Sequence, residues 1–102
     1  MILGDAVWVV NSKGCHEALL DKLVAWLNDS YIRYFFTTEG KGAARMGTSK
    51  VVDKENGDIE IRIGRQKFVI PSGGMVLLEE LGSMTFMIPG GFVSIKEMDS
   101  VL

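Results

Sequence analysis

The chain is 102 residues long and 11.2 kDa, with 11 Lys plus Arg, 13 Asp plus Glu and a formal net charge of −2. That mass supports one core and therefore one domain over 1–102, and a charged fraction of 24% excludes a disordered polyelectrolyte. A single Cys and a single His exclude an internal disulfide, a multi-cysteine metal site and any two-histidine metal motif.

The N-terminal stretch MILGDAVWVV has no basic leader and is interrupted by Asp5, so it does not read as a signal peptide. Ala6 to Val10 is short, β-branched and bounded by Gly4-Asp5 and Asn11-Ser12, which predicts a buried strand. Asn11 and Ser12 offer N-caps for a helix over about 15–29. On that helix Leu19, Leu20, Leu23, Val24, Trp26 and Leu27 fall within an arc of about 160°. Trp8 and Trp26 are expected to pack between the first strand and the helix. Tyr31 to Thr37 is aromatic and predicts a second strand, with Tyr31, Arg33 and Phe35 on one face and Ile32, Tyr34 and Phe36 on the other. A strand apolar on both faces needs two covers, and one helix supplies only one.

Thr38 to Lys50 contains Gly40, Gly42 and Gly47 and no apolar periodicity, so it reads as a long connection. Gly40 to Ser49 is then expected to be the most mobile internal segment and to border the functional surface. Val51-Val52 can form a short strand before the Asn56-Gly57 turn. The period-two run Asp58 to Ile63 puts Ile59, Ile61 and Ile63 on one face. A two-residue turn at Gly64-Arg65 sets Ile63 opposite Gln66, Ile61 opposite Phe68 and Ile59 opposite Ile70. Phe68 to Glu80 and Phe86 to Glu97 echo each other around IPSGG and IPGG, and each predicts a hairpin. In the second, Phe86 faces Val93 and Met84 faces Ile95. Met75 to Leu81 reads as a strand, with a short helix as the alternative. The expected fold is α+β. One amphipathic helix packs on a curved, mainly antiparallel sheet of six to seven short strands, in the order β-α-β-(β)-β-β-β-β-β.

Few side chains assemble into chemistry. Cys15 sits where a helix N-terminus favours a thiolate, and His16 lies near the centre of the apolar arc, so the two mark a possible pocket. Adjacent helical residues point about 100° apart, however, and do not form a nucleophile–base pair. No catalytic residue, metal ligand or cofactor is assigned. Lys41, Arg45, Lys50, Arg62, Arg65 and Lys67 give the middle of the chain a positive balance between negative flanks, a candidate contact for an anion or nucleic acid. Gly42 to Ser49 (GAARMGTS) imitates a phosphate-binding loop but has Thr48 in place of the lysine. Glu79 and Glu80 would point to opposite faces of a strand. Asp53, Glu55 and Asp58 lack the spacing of a calcium loop and suit turn chemistry.

Apolar residues make up 47% of the chain, Gly adds 12 more positions, and mean hydropathy is +0.20. So small a domain does not hide that much apolar material alone. The leading expectation is a non-catalytic binding or interaction module acting as a homo-oligomer, a dimer before other states, in the cytoplasm and without a membrane segment. The alternatives are a nucleic-acid or anion-binding protein using the 40–50 loop and the 62–67 hairpin, and a small enzyme using Cys15 or His16.

Overall fold

The computed structural model describes residues 6–79 and 82–97. In chain order it contains β1 (Ala6–Val9), α1 (His16–Leu27), β2 (Tyr31–Thr38), β3 (Lys41–Asp53), β4 (Ile59–Ile63), β5 (Gln66–Ile70), β6 (Met75–Glu79), β7 (Ser83–Ile88) and β8 (Gly91–Glu97). The strands form one antiparallel sheet ordered β1-β6-β7-β8-β2-β3-β4-β5, two or one more than the six to seven expected. The sheet curls so that β5 returns over the inner face, where Phe68 packs edge-on against Tyr34 and Phe86. Leu19, Leu23 and Leu27 of α1 are fully buried with Ile32, Ile61 and Ile95.

Where local pattern dictates pairing, the expected register holds. Ile59, Ile61 and Ile63 lie opposite Ile70, Phe68 and Gln66, and Met84 and Phe86 lie opposite Ile95 and Val93. Met75–Glu79 is a strand, while Glu80 and Leu81 lie outside the described residues, as does Met1 to Asp5. Trp8 and Trp26 are half-buried and pack against the core, with the Lys22 ammonium 5.8 Å above the Trp8 ring. The helix is shorter than 15–29. It starts after Cys15, whose side chain makes no capping bond, and the carbonyl of Ser12 accepts the N–H groups of Cys15 and His16 instead. At the other end Asn28 is extended and Asp29 is left-handed (φ 66°), which turns the chain into β2.

The first strand, expected to be buried, is instead a sheet edge paired among the described residues only with β6, with Val7 63% and Val9 37% exposed. Two further expectations fail. The segment expected to be a mobile connection is strand: Lys41 to Thr48 pairs residue for residue with β2, from Thr38 opposite Lys41 to Tyr31 opposite Thr48. Glu39 and Gly40, both at positive φ, make the only turn required. Among the small residues that look like loop composition, Gly42 lies beneath an aromatic neighbour and Gly47 against the Gly64 backbone. The Phe35 ring leans over the Gly42 backbone, its Cζ 2.5 Å from where a Cβ would sit. The second failure is IPSGG. It is not a hairpin, because β5 is an edge strand and β6 pairs with β1 and β7. The loop is drawn to β1 by Gly73 N–H to the Val10 carbonyl (2.8 Å) and Val10 N–H to the Gly74 carbonyl (2.9 Å). The IPGG echo does form its hairpin.

At Ser49, β3 changes partner: residues up to Thr48 pair with β2, and Ser49–Asp53 pair with β4. Ser49 is fully buried, and its hydroxyl is placed to donate to the carbonyls of Leu27 and Ser30 at the end of α1. Its own N–H bonds the Ser30 carbonyl and its carbonyl accepts Asp29 N–H, both at 2.8 Å. Asn28 Oδ1 accepts Val51 N–H at 3.2 Å. The helix end, whose last carbonyls lack helical partners, is thus satisfied in part by a strand, and Ser30 Oγ donates to the Trp26 carbonyl at 2.6 Å. Replacing Ser49 with Ala leaves the Leu27 carbonyl only the longer bond from Ser30 N–H (3.4 Å), and the expected loss is about 0.5–1.5 kcal/mol of stability, read by urea unfolding with an unchanged m-value.

Candidate functional site

His16 projects from the first turn of α1 into a cluster made by three loops. Its Nδ1 accepts Asn11 N–H at 3.0 Å, which leaves Nε2–H to donate to Asp53 Oδ1 at 3.1 Å. With both ring nitrogens engaged, the imidazole has no open lone pair for general-base work in this arrangement. Asp53 comes from the far end of β3, 37 residues away, so sequence spacing held no signal for the pair. Around it, Asn11 Nδ2 donates to Ser72 Oγ (3.0 Å) and Ser72 N–H donates to Asp58 Oδ1 (2.8 Å). Asp53 and Asp58 therefore serve as loop fasteners, while Cys15 beside them is a half-buried free thiol. Among the described residues, no group of three or more potential ligands could hold a metal ion.

The six basic candidates separate onto two faces. Lys50, Arg62 and Lys67 are directly opposite one another on the outer face of β3, β4 and β5, with Arg65 in the turn that closes the ribbon. Like charges so placed repel, and the ribbon supplies compensation. Glu60, on the same face, bonds Arg62 Nε and lies 3.6 Å from Lys54 Nζ, while Lys50 reaches Asp29 at 3.6 Å. The Arg62 hydrogen bond, aided by the charges of Arg62, Lys54 and Lys67, holds the Glu60 carboxyl below its ordinary range despite burial, which opposes it. Lys41 and Arg45 share the inner face, where Arg45 lies 5.9 Å over the Phe36 ring. Burial there pushes the Tyr34 phenol up, against a smaller opposing pull from Arg45.

The helix leaves uncovered the outer face of β1-β6-β7-β8-β2-β3. Register sets its side chains in rows across the strands. One runs Val7, Leu77, Thr85, Ser94, Phe35, Ala44, and the next carries Val9, Met75, Met87, Phe92 and Thr37. Val7 is 63% exposed, Met75 59%, Met87 62% and Phe35 42%. Phe35 and Phe92 meet at 6.1 Å between ring centroids, and Thr85 and Ser94 share a hydrogen bond at 3.0 Å. A third row, Glu79, Ser83, Lys96, Arg33, Met46, closes one side of the face with charge. The sequence marks one strip of this surface, the Tyr31-Arg33-Phe35 face of β2. The rest depends on which strands become neighbours.

The surface also carries hollows. A pocket of about 390 Å³ lies between the free edge of β5 and the β7–β8 turn, lined by Phe68, Pro71, Ile88 and Pro89. Another of about 500 Å³ lies between Trp26 and the β6–β7 connection. Among the described residues, no helix is long and apolar enough to cross a membrane. No protein-family model, curated protein or solved structure matches the chain.

The Glu60 environment has a pH consequence. A carboxyl whose folded pKa is depressed adds stability above its unfolded pKa and loses it as pH falls through the folded value. Glu60→Gln is therefore expected to be less stable than the parent at pH 7, with the gap closing as both are acidified below about pH 4. Thermal unfolding as a function of pH reads the convergence. Parallel curves down to pH 2 would mean that Arg62 and Lys54 contribute nothing through this carboxylate.

Proposed function

We propose that the protein is a non-catalytic interaction module that self-associates, as a dimer, through the outer face of its sheet. The observation that carries this reading is the Val9-Met75-Met87-Phe92 row, flanked by Val7, Leu77 and Phe35, on a face that the only described helix does not cover. Monomeric domains rarely leave so continuous an apolar strip in water, because its hydration is unfavourable in proportion to area. Antiparallel sheets with both faces apolar are commonly covered on both, one by helix and one by a second sheet. The engagement of both His16 nitrogens also favours a binding role over an enzymatic one. A cytoplasmic setting belongs to the same reading, since Cys15 is a free thiol.

A second reading is favoured by one observation, the cross-strand row Lys50-Arg62-Lys67 with Arg65 beside it. Such a row fits the phosphates of a nucleic-acid backbone, with Lys41 and Arg45 on the other face outside the contact. In this reading an oligonucleotide binds at ~50 mM salt and is released by ~200 mM, the counterion signature of phosphate contacts. Fluorescence anisotropy showing no binding at the lower salt removes it.

For the leading reading, static light scattering at tens of micromolar is expected to return twice the 11.2 kDa chain mass. Met87→Asp, which puts a charge into the centre of the exposed strip, is expected to return the single-chain mass with the fold intact by circular dichroism. A single-chain mass for the parent at that concentration would refute self-association.

A further inference from the structure

We propose that two copies pack by their outer sheet faces about a two-fold axis that runs parallel to the strands over the β7–β8 hairpin. Glu79 of each copy then meets the Lys96-Arg33 pair of the other. This deepens the reading above and rests on it.

The argument comes from the charged row. Across the sheet it runs Glu79 on β6, Ser83 on β7, Lys96 on β8 and Arg33 on β2, negative at one end and positive at the other. Two faces related by an in-plane two-fold axis along the strands keep their height along the strand and exchange left for right. An axis over β7–β8 therefore carries β6 onto the partner's β8–β2 side. In the same step Met75 and Met87 meet the Phe92 side of the other copy, and Leu77 meets its Phe35 side. The Met75-Met87-Phe92 row faces its own copy, the hydrogen-bonded Thr85 and Ser94 lie at the axis between the Leu77 and Phe35 sides, and each Glu79 faces cations.

Other placements fail on charge. An axis between β8 and β2 sets Lys96 against the partner's Arg33 and leaves Glu79 outside the contact. An axis across the strands lays the charged row over the Met75, Met87 and Phe92 row, burying charges without partners. The strand-parallel axis also matches aligned sheet packing, in which the strands of two sheets cross at about 30°.

The size of the face is compatible. The molecule measures 38 × 37 × 22 Å, a slab whose broad side is available to a second sheet. Six strands at ~4.8 Å spacing and about five residues of ~3.3 Å each give a flat footprint of roughly 480 Å² per copy. Two copies then bury about 1,000 Å², near the lower bound for a specific interface before side-chain relief is counted. A dimer with micromolar dissociation fits that area better than an obligate one.

Charge exchange tests the axis. Glu79→Lys alone, and Arg33→Glu with Lys96→Glu, are each expected to weaken dimerisation at least tenfold in sedimentation equilibrium. All three substitutions together are expected to recover most of it. Thermal unfolding monitors the fold of each variant. In parallel, in a Cys15→Ser background, Thr85→Cys sits beside the axis and is expected to link copy to copy through a short bis-maleimide. Val7→Cys, at the β1 edge and two strands away, is expected not to. If the parent dimerises while the exchanges have no effect and Val7→Cys links better than Thr85→Cys, this axis is wrong and self-association stands. If the parent is a single chain at every concentration, both fall.

Discussion

The arrangement depends on the buried contact between Ser49 and the end of α1. Ser49 lies where β3 leaves β2 and takes up β4, and its hydroxyl, N–H and carbonyl all bond the Leu27 to Ser30 segment. One residue thus joins Ser30, whose hydroxyl donates to the Trp26 carbonyl at 2.6 Å, in satisfying the helix terminus, and it fixes the position at which a strand changes partners. Unpaired, those groups would be buried polar atoms in the middle of the core, each costly. The helix is held along the inner face by this tether at one end and by the His16–Asp53 bond at the other.

Fixing the helix on one side decides the character of both faces. Leu19, Leu23 and Leu27 cover the inner side, and the curl brings the β4–β5 ribbon over the remainder, so Ile59, Ile61, Ile63 and Ile70 become fully buried. No second helix is present among the described residues for the outer side. The apolar surplus in the composition therefore has a specific location, the rows through Val7, Leu77, Met75 and Met87. In a chain of 102 residues the ratio of surface to volume makes such residues hard to hide.

Charge is distributed by the same topology. The cations of the chain's middle third divide because β3 alternates: Lys41 and Arg45 fall on the inner side and Lys50 on the outer. Only Lys50, Arg62 and Lys67 gather, and Glu60 among them holds the row together by opposing its repulsion. Asp53 and Asp58 bind loops to one another by accepting His16 Nε2–H and Ser72 N–H, while Asn56 Oδ1 accepts Asp58 N–H within its own turn.

Short-range pairing was legible in the chain by itself. The Ile59-Ile61-Ile63 alternation with Gly64-Arg65, the Pro89-Gly90 turn and the leucine stripe of the helix each carry period and punctuation within a dozen residues, and each formed as read. Lys41 to Lys50 was illegible because its glycines and alanines resemble loop composition. They become strand only when β2 lies alongside and Phe35 covers Gly42. IPSGG looked like a hairpin for the complementary reason: a turn motif bends the chain locally, but whether the next strand pairs backward or crosses to β1 is decided by hydrogen bonds to Val10, far away in sequence. The candidate surface divides in the same way. Alternation within β2 puts Tyr31, Arg33 and Phe35 on one face whatever the fold, and this fold leaves Tyr31 and Phe35 exposed there. Their continuity with Phe92, Met87, Met75 and Val9 exists only because β8, β7, β6 and β1 line up beside β2. A strand's own residues set which side chains share a face, and long-range pairing sets which strands share a sheet.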